Sequence, residues 1–586
     1  MEGVNSNGGI VSEPPPLEQF LQLILLLAVP CCSLLLLLLT SPSPSRKKKD
    51  LTVAVTVAGL PLPPSPPRGL PILGNLHQLS RALPHSSLRA LAAGRPVVML
   101  RLGRVNTVVV STADAAREVM RDQDSAFASR PRLTVPRRLL YGCTDIAFAP
   151  HGAYWSAARK ASVLHLLGPA RVRGYRAVRE EEVRELLQRV EEAASGAHGG
   201  VVPLSELVSV FAKDVAGRIV LGIRGGGGGE WGARVDALME DSNVLLGTFH
   251  VGDFLPWLAW VGALDGTDAK ITTAFNKIDH ILEEIIVAAK SRPTTAGAPL
   301  PFVNVLMSLL QNDSTAAGAQ QWRLTTDNVK ALLEVNNFKN GSSFLHDLFG
   351  AGTDSTIIVL EWAMAELLRN KDTMIKLQHE LRRCTAAAGG GGLQDPTSSL
   401  TVTEEHLPAM HYLKAVIKET MRLHPPGPLL VPRESMRRAT VGGYAVPSKT
   451  MVVVDAWAIG RDPASWDRPE EFVPERFAVG GGGGGGEVDF RGRHFQLIPF
   501  GSGRRMCPGI DFAMAIVELA LANLVAGFDW ETLPDGDGGG RMDMEEAPGS
   551  RRGRGSRCAP WHVGEICCVM TTSSCYNKPM WPTTYI

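Results

Sequence analysis

The residues best suited to chemistry lie in Pro499–Gly509, which reads PFGSGRRMCPG. A cysteine acts as a nucleophile or metal ligand only as the thiolate, which needs nearby positive charge or donated hydrogen bonds to stay deprotonated. Gly501, Gly503 and Gly509 allow the backbone to turn its amides toward the Cys507 sulfur, and Arg504 and Arg505 add charge beside it. The apolar run Asp511–Ala526 predicts a helix whose N-terminus, just after Cys507, also favours an anion. A lone cysteine is ordinarily a small buried hydrophobe. This neighbourhood separates Cys507 from Cys143 and Cys384.

The loop resembles the haem loop of the cytochrome P-450 family, Phe-x-x-Gly-x-Arg-x-Cys-x-Gly, matched at Phe500, Gly503, Arg505, Cys507 and Gly509. The resemblance implies that Cys507 is the axial ligand to haem iron. It extends to the family's Glu-x-x-Arg at Glu419 and Arg422 in KETMRLHPP, and to its third member, Arg476, in PERF at Pro474–Phe477. Glu and Arg at i, i+3 share a helix face, and a second Arg can complete a buried charge network behind the haem. Taken alone, Glu-x-x-Arg would be a solvated surface pair.

Two further matches concern the cofactor's carboxylates and its oxygen face. Trp155 and Arg159 in FAPHGAYWSAARK resemble haem-propionate contacts, with Arg433 in VPRES and Arg505 as companions. The guanidinium fork suits both oxygens of a carboxylate. Ala351–Thr356, AGTDST, is similar to the family's kinked oxygen-binding helix. Gly352 would relax that helix, while Asp354 as the acid and Ser355 and Thr356 as alcohols would relay protons. Ser355 stands where the family usually has Thr; it keeps the hydroxyl but lacks the methyl that restricts its rotamer.

The segments PPGPLLVPRES, AIGRDPASWDRPEEFVPERF and FQLIPFGSGRRMCPGIDFAM are most like the plant A-type microsomal group. The resemblance implies a mainly α fold with a small β subdomain, the α+β cytochrome P-450 fold, carrying haem b. The implied reaction inserts one oxygen atom from O2 into a small apolar metabolite. NADPH supplies the electrons indirectly, through NADPH-cytochrome P-450 reductase. A catalytically impaired haem protein from a damaged gene is the alternative, and a reductase-independent isomerase or dehydratase is another. The apparent proton relay weighs against the latter.

The elements that must position these residues are legible in outline. Lys plus Arg number 60 against 59 for Asp plus Glu, which leaves no global field for nucleic acid. Phe20–Thr40, FLQLILLLAVPCCSLLLLLLT, has no charge, and at about 1.5 Å per residue it would just cross a core of roughly 30 Å. Arg46, Lys47, Lys48 and Lys49 follow it, so the positive-inside rule keeps the catalytic body cytoplasmic. Residues 1–50 therefore read as a single-pass anchor in the endoplasmic reticulum membrane, in contact with lipid. Residues 51–75 read as a Pro-rich linker, stiff and extended because proline fixes φ and lacks an amide donor.

Residues 76–549 read as the catalytic domain. Within it, Val178–Ala194 and Asn370–Arg383 have helical spacing, and Pro96–Val110 and Ala439–Val454 contain extended segments. The glycine runs Gly225–Gly229, Gly389–Gly392 and Gly480–Gly486 read as loops. Glu334–Phe344, EVNNFKNGSSF, interrupts an expected helix with poor helix formers and is expected to bulge out. After Gly549 the chain departs from the family's apolar hairpin, so residues 550–586 read as a disordered tail.

Overall fold

In the computed structural model the described residues run from Thr56 to Thr532, apart from 58, 80–82, 197–200, most of 225–243, 292–298, 312–338, 389–401 and 479–487; the strand Cys567–Met570 is also described. The expected anchor Phe20–Thr40, the glycine runs and Glu334–Phe338 lie outside them.

The helices that position the site are α1 (Ala153–Ala161), α2 (Arg176–Ser195), α3 (Leu204–Ala216), α4 (Lys339–Arg369), α5 (Lys371–Ala388), α6 (His411–Leu423) and α7 (Ile510–Gly527). In α2 the buried residues are Arg179, Glu182, Val183, Leu186, Leu187 and Val190, steps of three and one that keep to one helix face. In contrast, α7 is buried over most of its circumference, leaving only a narrow stripe with Asp511 and Glu518 partly accessible, and packs against α2, α4, α5 and α6. It is long and apolar enough to cross a bilayer, but 72% of it is buried within the protein, as befits a core helix.

The strands are β1 (Val97–Leu102), β2 (Val105–Val110), β3 (Val201–Pro203), β4 (Arg433–Glu434), β5 (Met451–Val454), β6 (Trp530–Thr532) and β7 (Cys567–Met570). A four-stranded sheet runs β1-β2-β5-β4. Its β2–β5 pair is parallel, with Val108 opposite Val452, and β4 is antiparallel to β5. This pairing sets Arg433 at the sheet edge, facing the site. The expected extended segments therefore appear, the second of them including the hairpin Ala439–Val441/Tyr444–Val446.

The described residues add to three of these readings. The Pro-rich stretch lies on the body rather than standing off as a spacer: Met99 N donates to Pro64 O at 3.0 Å, and Pro63 and Pro66 are buried. An edge that needs only carbonyl acceptors tolerates prolines. The helix α4 runs unbroken through Lys339–Phe344, the second half of the expected bulge. Asn340, Gly341, Ser342 and Ser343 are poor helix formers, yet they continue here into the long apolar helix that follows, and such a context overrides local propensity. Finally, β7 comes from the presumed tail and lies between β6 and β3, pairing Cys568 with Thr532 on one side and Val202 on the other. Its run CCVM is apolar enough to complete a sheet.

Candidate functional site

The loop before α7 is held by its own backbone. Cys507 N donates to Phe500 O at 2.9 Å, and Gly509 N donates to Cys507 Sγ at 3.4 Å. The sulfur thus accepts an amide N–H at the start of a helix, both of which favour the anion. Phe500 packs against Phe490 with ring centroids 5.3 Å apart. Cys507 is exposed, whereas burial pushes the Cys143 thiol up to about 12, the mark of an inert structural cysteine.

Arginines converge on this loop from four parts of the chain. Arg505 Nε donates to Ala128 O at 2.7 Å and Nη2 to Ala149 O at 2.6 Å. Arg433 Nη2 donates to Ser502 O at 2.9 Å, and Arg159 on α1 donates to Met506 O. Arg130 joins them through Nη1 to Val431 O at 2.6 Å and Nε to Ala147 O at 2.8 Å. Burial, then the charges of Arg433 and Arg159, push Arg505 down to about 9. Burial, then Arg433 and Arg505, lower Arg130 well below its ordinary value. The carboxylates that oppose these shifts are Asp124 and Asp145. Trp155 contributes its ring face, with the Arg505 guanidinium 3.9 Å from the centroid, while its indole N–H is donated to Ile146 O at 3.1 Å.

Sequence reasoning missed Arg130 as a member of this cluster. The available signal was an arginine in the otherwise apolar and small run SAFASRP, out of keeping with a solvated side chain.

Behind the loop, Glu419 and Arg422 on α6 are both 0% exposed and form a bidentate pair, Nε to Oε2 at 2.7 Å and Nη2 to Oε1 at 2.8 Å. Arg476 Nε and Val473 N also donate to Glu419 Oε1, at 3.0 and 2.7 Å. Arg422 continues to Gly460 O and Pro469 O, each at 2.6 Å. A Cβ on Gly460 would lie 2.3 Å from Arg422 O, so this close approach requires glycine.

On α4, three hydroxyls bond back by four residues: Thr353 to Phe349 O, Ser355 to Ala351 O and Thr356 to Gly352 O, at 2.7, 2.7 and 2.8 Å. Such bonds compete with the helix ladder and favour bending. Thr353 and Thr356 are buried, whereas Asp354 and Ser355 are partly accessible. Gly352 approaches α7: a Cβ there would meet the Phe512 ring at 3.3 Å.

The family model for cytochrome P450 matches residues 63–546. The chain belongs to the cytochrome P450 family. Cytochrome P450 71A1 of Persea americana is 43% identical over 481 residues, covering 81% of this chain and 88% of that protein. The (+)-menthofuran synthase of Mentha piperita is 39% identical, covering 83% and 90%. A zebra fish cytochrome P450 solved with abiraterone superposes with a TM-score of 0.61 over 83% of this chain and 99% of that one; at 22% identity it shows the shared fold. The resemblance to the plant A-type group therefore holds, and the observed mainly helical body with a small sheet is the P450 fold.

The P450 family and fold imply a haem-iron cofactor, and the donor set fits it. A thiol sits at a helix start with an amide aimed at its sulfur. Beside it lies a surplus of buried guanidiniums whose mutual repulsion a dicarboxylate would relieve.

Proposed function

We propose that this P450 monooxygenase inserts one oxygen atom from O2 into a small apolar metabolite, using NADPH-derived electrons delivered by NADPH-cytochrome P450 reductase. It would act at the cytoplasmic face of the endoplasmic reticulum membrane. The observation that carries the reading is Cys507 at the head of α7, its sulfur bonded by Gly509 N–H within reach of the arginine cluster. The relative named as a menthofuran synthase agrees with a small-molecule product.

Haem, when bound, supplies oxygen activation, which a thiolate ligand favours by electron release. The chain's own residues do the rest. Cys507 would ligate the iron, and Phe500, Arg505 and Gly509 would shape the loop that holds it. Arg159, Arg433 and Arg505 would bind the propionates, with Trp155 fixing the plane of Arg505. Glu419, Arg422 and Arg476 would brace the loop from behind. Asp354 and Ser355 would carry protons inward along α4, with Ser355 Oγ turning from Ala351 O to donate. Thr356, buried and bonded to Gly352 O, is less accessible for that part.

Reconstitution with reductase, NADPH and isotope-labelled O2 tests the reaction class. One labelled atom should appear per product molecule; product lacking label, formed without reductase, would indicate an isomerase or dehydratase instead.

Ser355→Ala should still consume NADPH but release a larger share of it as hydrogen peroxide. A general acid contributes about 10²–10⁴-fold, and the loss should fall at the lower end because Asp354 remains. Ser355→Thr should improve coupling by restricting χ1. Identical peroxide yields in all three proteins would remove Ser355 from the relay.

The full chain should stay with membranes through an alkaline carbonate wash, and deletion of residues 1–50 should loosen it. Recovery of the intact chain in the soluble fraction would refute an integral anchor.

A further inference from the structure

We infer that Asp124 is a positioning residue that clamps the cysteine loop against the arginine cluster. This deepens the haem-ligation reading and rests on it.

Asp124 opens the short turn Asp124–Ala126 and is 8% exposed. Its Oδ2 accepts from Arg504 N at 3.0 Å and Arg504 Nη1 at 3.2 Å, while Oδ1 accepts from Arg433 Nη1 at 3.4 Å. Arg433 in turn donates to Ser502 O. The peptide groups on both sides of Gly503 are therefore held, one by the carboxylate directly and one by the arginine it pairs with. Gly503 has φ +69°, and a Cβ there would lie 2.0 Å from Met120 O and 2.9 Å from Asp124 Oδ1. The loop thus sits flush on the Met120–Asp124 turn, leaving no room for a side chain or for slack.

The charge is as useful as the geometry. Arg130, Arg159, Arg433 and Arg505 repel one another, and Asp124 supplies negative charge to Arg433 and Arg505 from the protein itself. Hydrogen bonds to charged groups are the strong ones, and losing a buried acceptor leaves its donors stranded. Without Asp124, Arg433 is pushed off Ser502 and the Arg504 amide loses its acceptor. The segment three residues before Cys507 is then free to shift, and the sulfur with it.

The test follows the thiolate band of the reduced carbon monoxide complex in haem-loaded protein under increasing guanidinium, beside far-UV circular dichroism of the same samples. In wild type the band and the helical signal should be lost close together. Asp124→Ala should lose the band roughly tenfold faster at denaturant concentrations that leave the helical signal intact, the effect of one charge-assisted bond. Asp124→Asn keeps an acceptor of the same size but not the charge, and should fall between. It carries the comparison if Asp124→Ala does not fold. Asp114→Ala, at an exposed acidic site, should match wild type.

If both Asp124 variants hold the band as wild type does, or lose band and helix together, Asp124 has no positioning role. A wild type that takes up haem without a thiolate band would overturn the ligation reading itself, and this inference with it.

Discussion

Cys507→Ser should abolish oxygen insertion outright, reducing product formation by orders of magnitude while leaving the fold in place. The serine hydroxyl is nearly isosteric but stays protonated at neutral pH, so it can neither ligate iron as an anion nor supply the thiolate's electron release. The substitution disturbs little else. A serine oxygen can accept from Gly509 N as the sulfur does, and the backbone bond from Cys507 N to Phe500 O does not depend on the side chain. The variant should therefore show wild-type helical content, yet its reduced carbon monoxide complex should lack the red-shifted Soret band. A serine variant that keeps both the band and turnover would require a different ligand.

The second large effect belongs to Glu419. Its two oxygens accept both arms of Arg422, the Nε of Arg476 and the Val473 amide, in a setting closed to water. Removing one partner of a buried ion pair costs about 3–5 kcal/mol, because the remaining charge has no solvent to turn to. Against a typical total stability of about 5–15 kcal/mol, that loss is enough to leave much of the chain unfolded. Glu419→Ala should therefore give little folded, haem-loaded protein, and what is recovered should melt far below wild type. Asp114→Ala, which breaks the exposed pair with Arg117, should cost no more than about 1 kcal/mol. Equal melting temperatures for Glu419→Ala and wild type would show that this network does not hold the body together.

The parts of this protein that were legible in its sequence are those written in short spacings. The cysteine loop, Glu419 with Arg422, and the PERF segment each occupy a few consecutive residues, and the structure brings each together as the spacing implies. The helical period of α2 and the apolar, valine-rich runs of β1 and β2 were legible for the same reason. What escaped were features made by distant residues. Arg130 meets Val431 across 301 positions and Asp124 meets Arg504 across 380, separations that no local pattern links. The helical state of Lys339–Phe344 was hidden because local propensity is a weak guide beside the long helix these residues belong to. The strand Cys567–Met570 was hidden because four apolar residues acquire a structure only when β3 and β6 flank them. The buried setting of Thr356 was invisible too, since AGTDST does not say which hydroxyl faces inward.

The central claim is that this chain binds haem through the Cys507 thiolate, and the carbon monoxide difference spectrum of the reduced full-length protein tests it most directly. Haem uptake with the red-shifted Soret band of a thiolate-ligated complex is the expected result. A full complement of haem showing only the unshifted band, or no haem uptake by a chain that is otherwise folded, would contradict it.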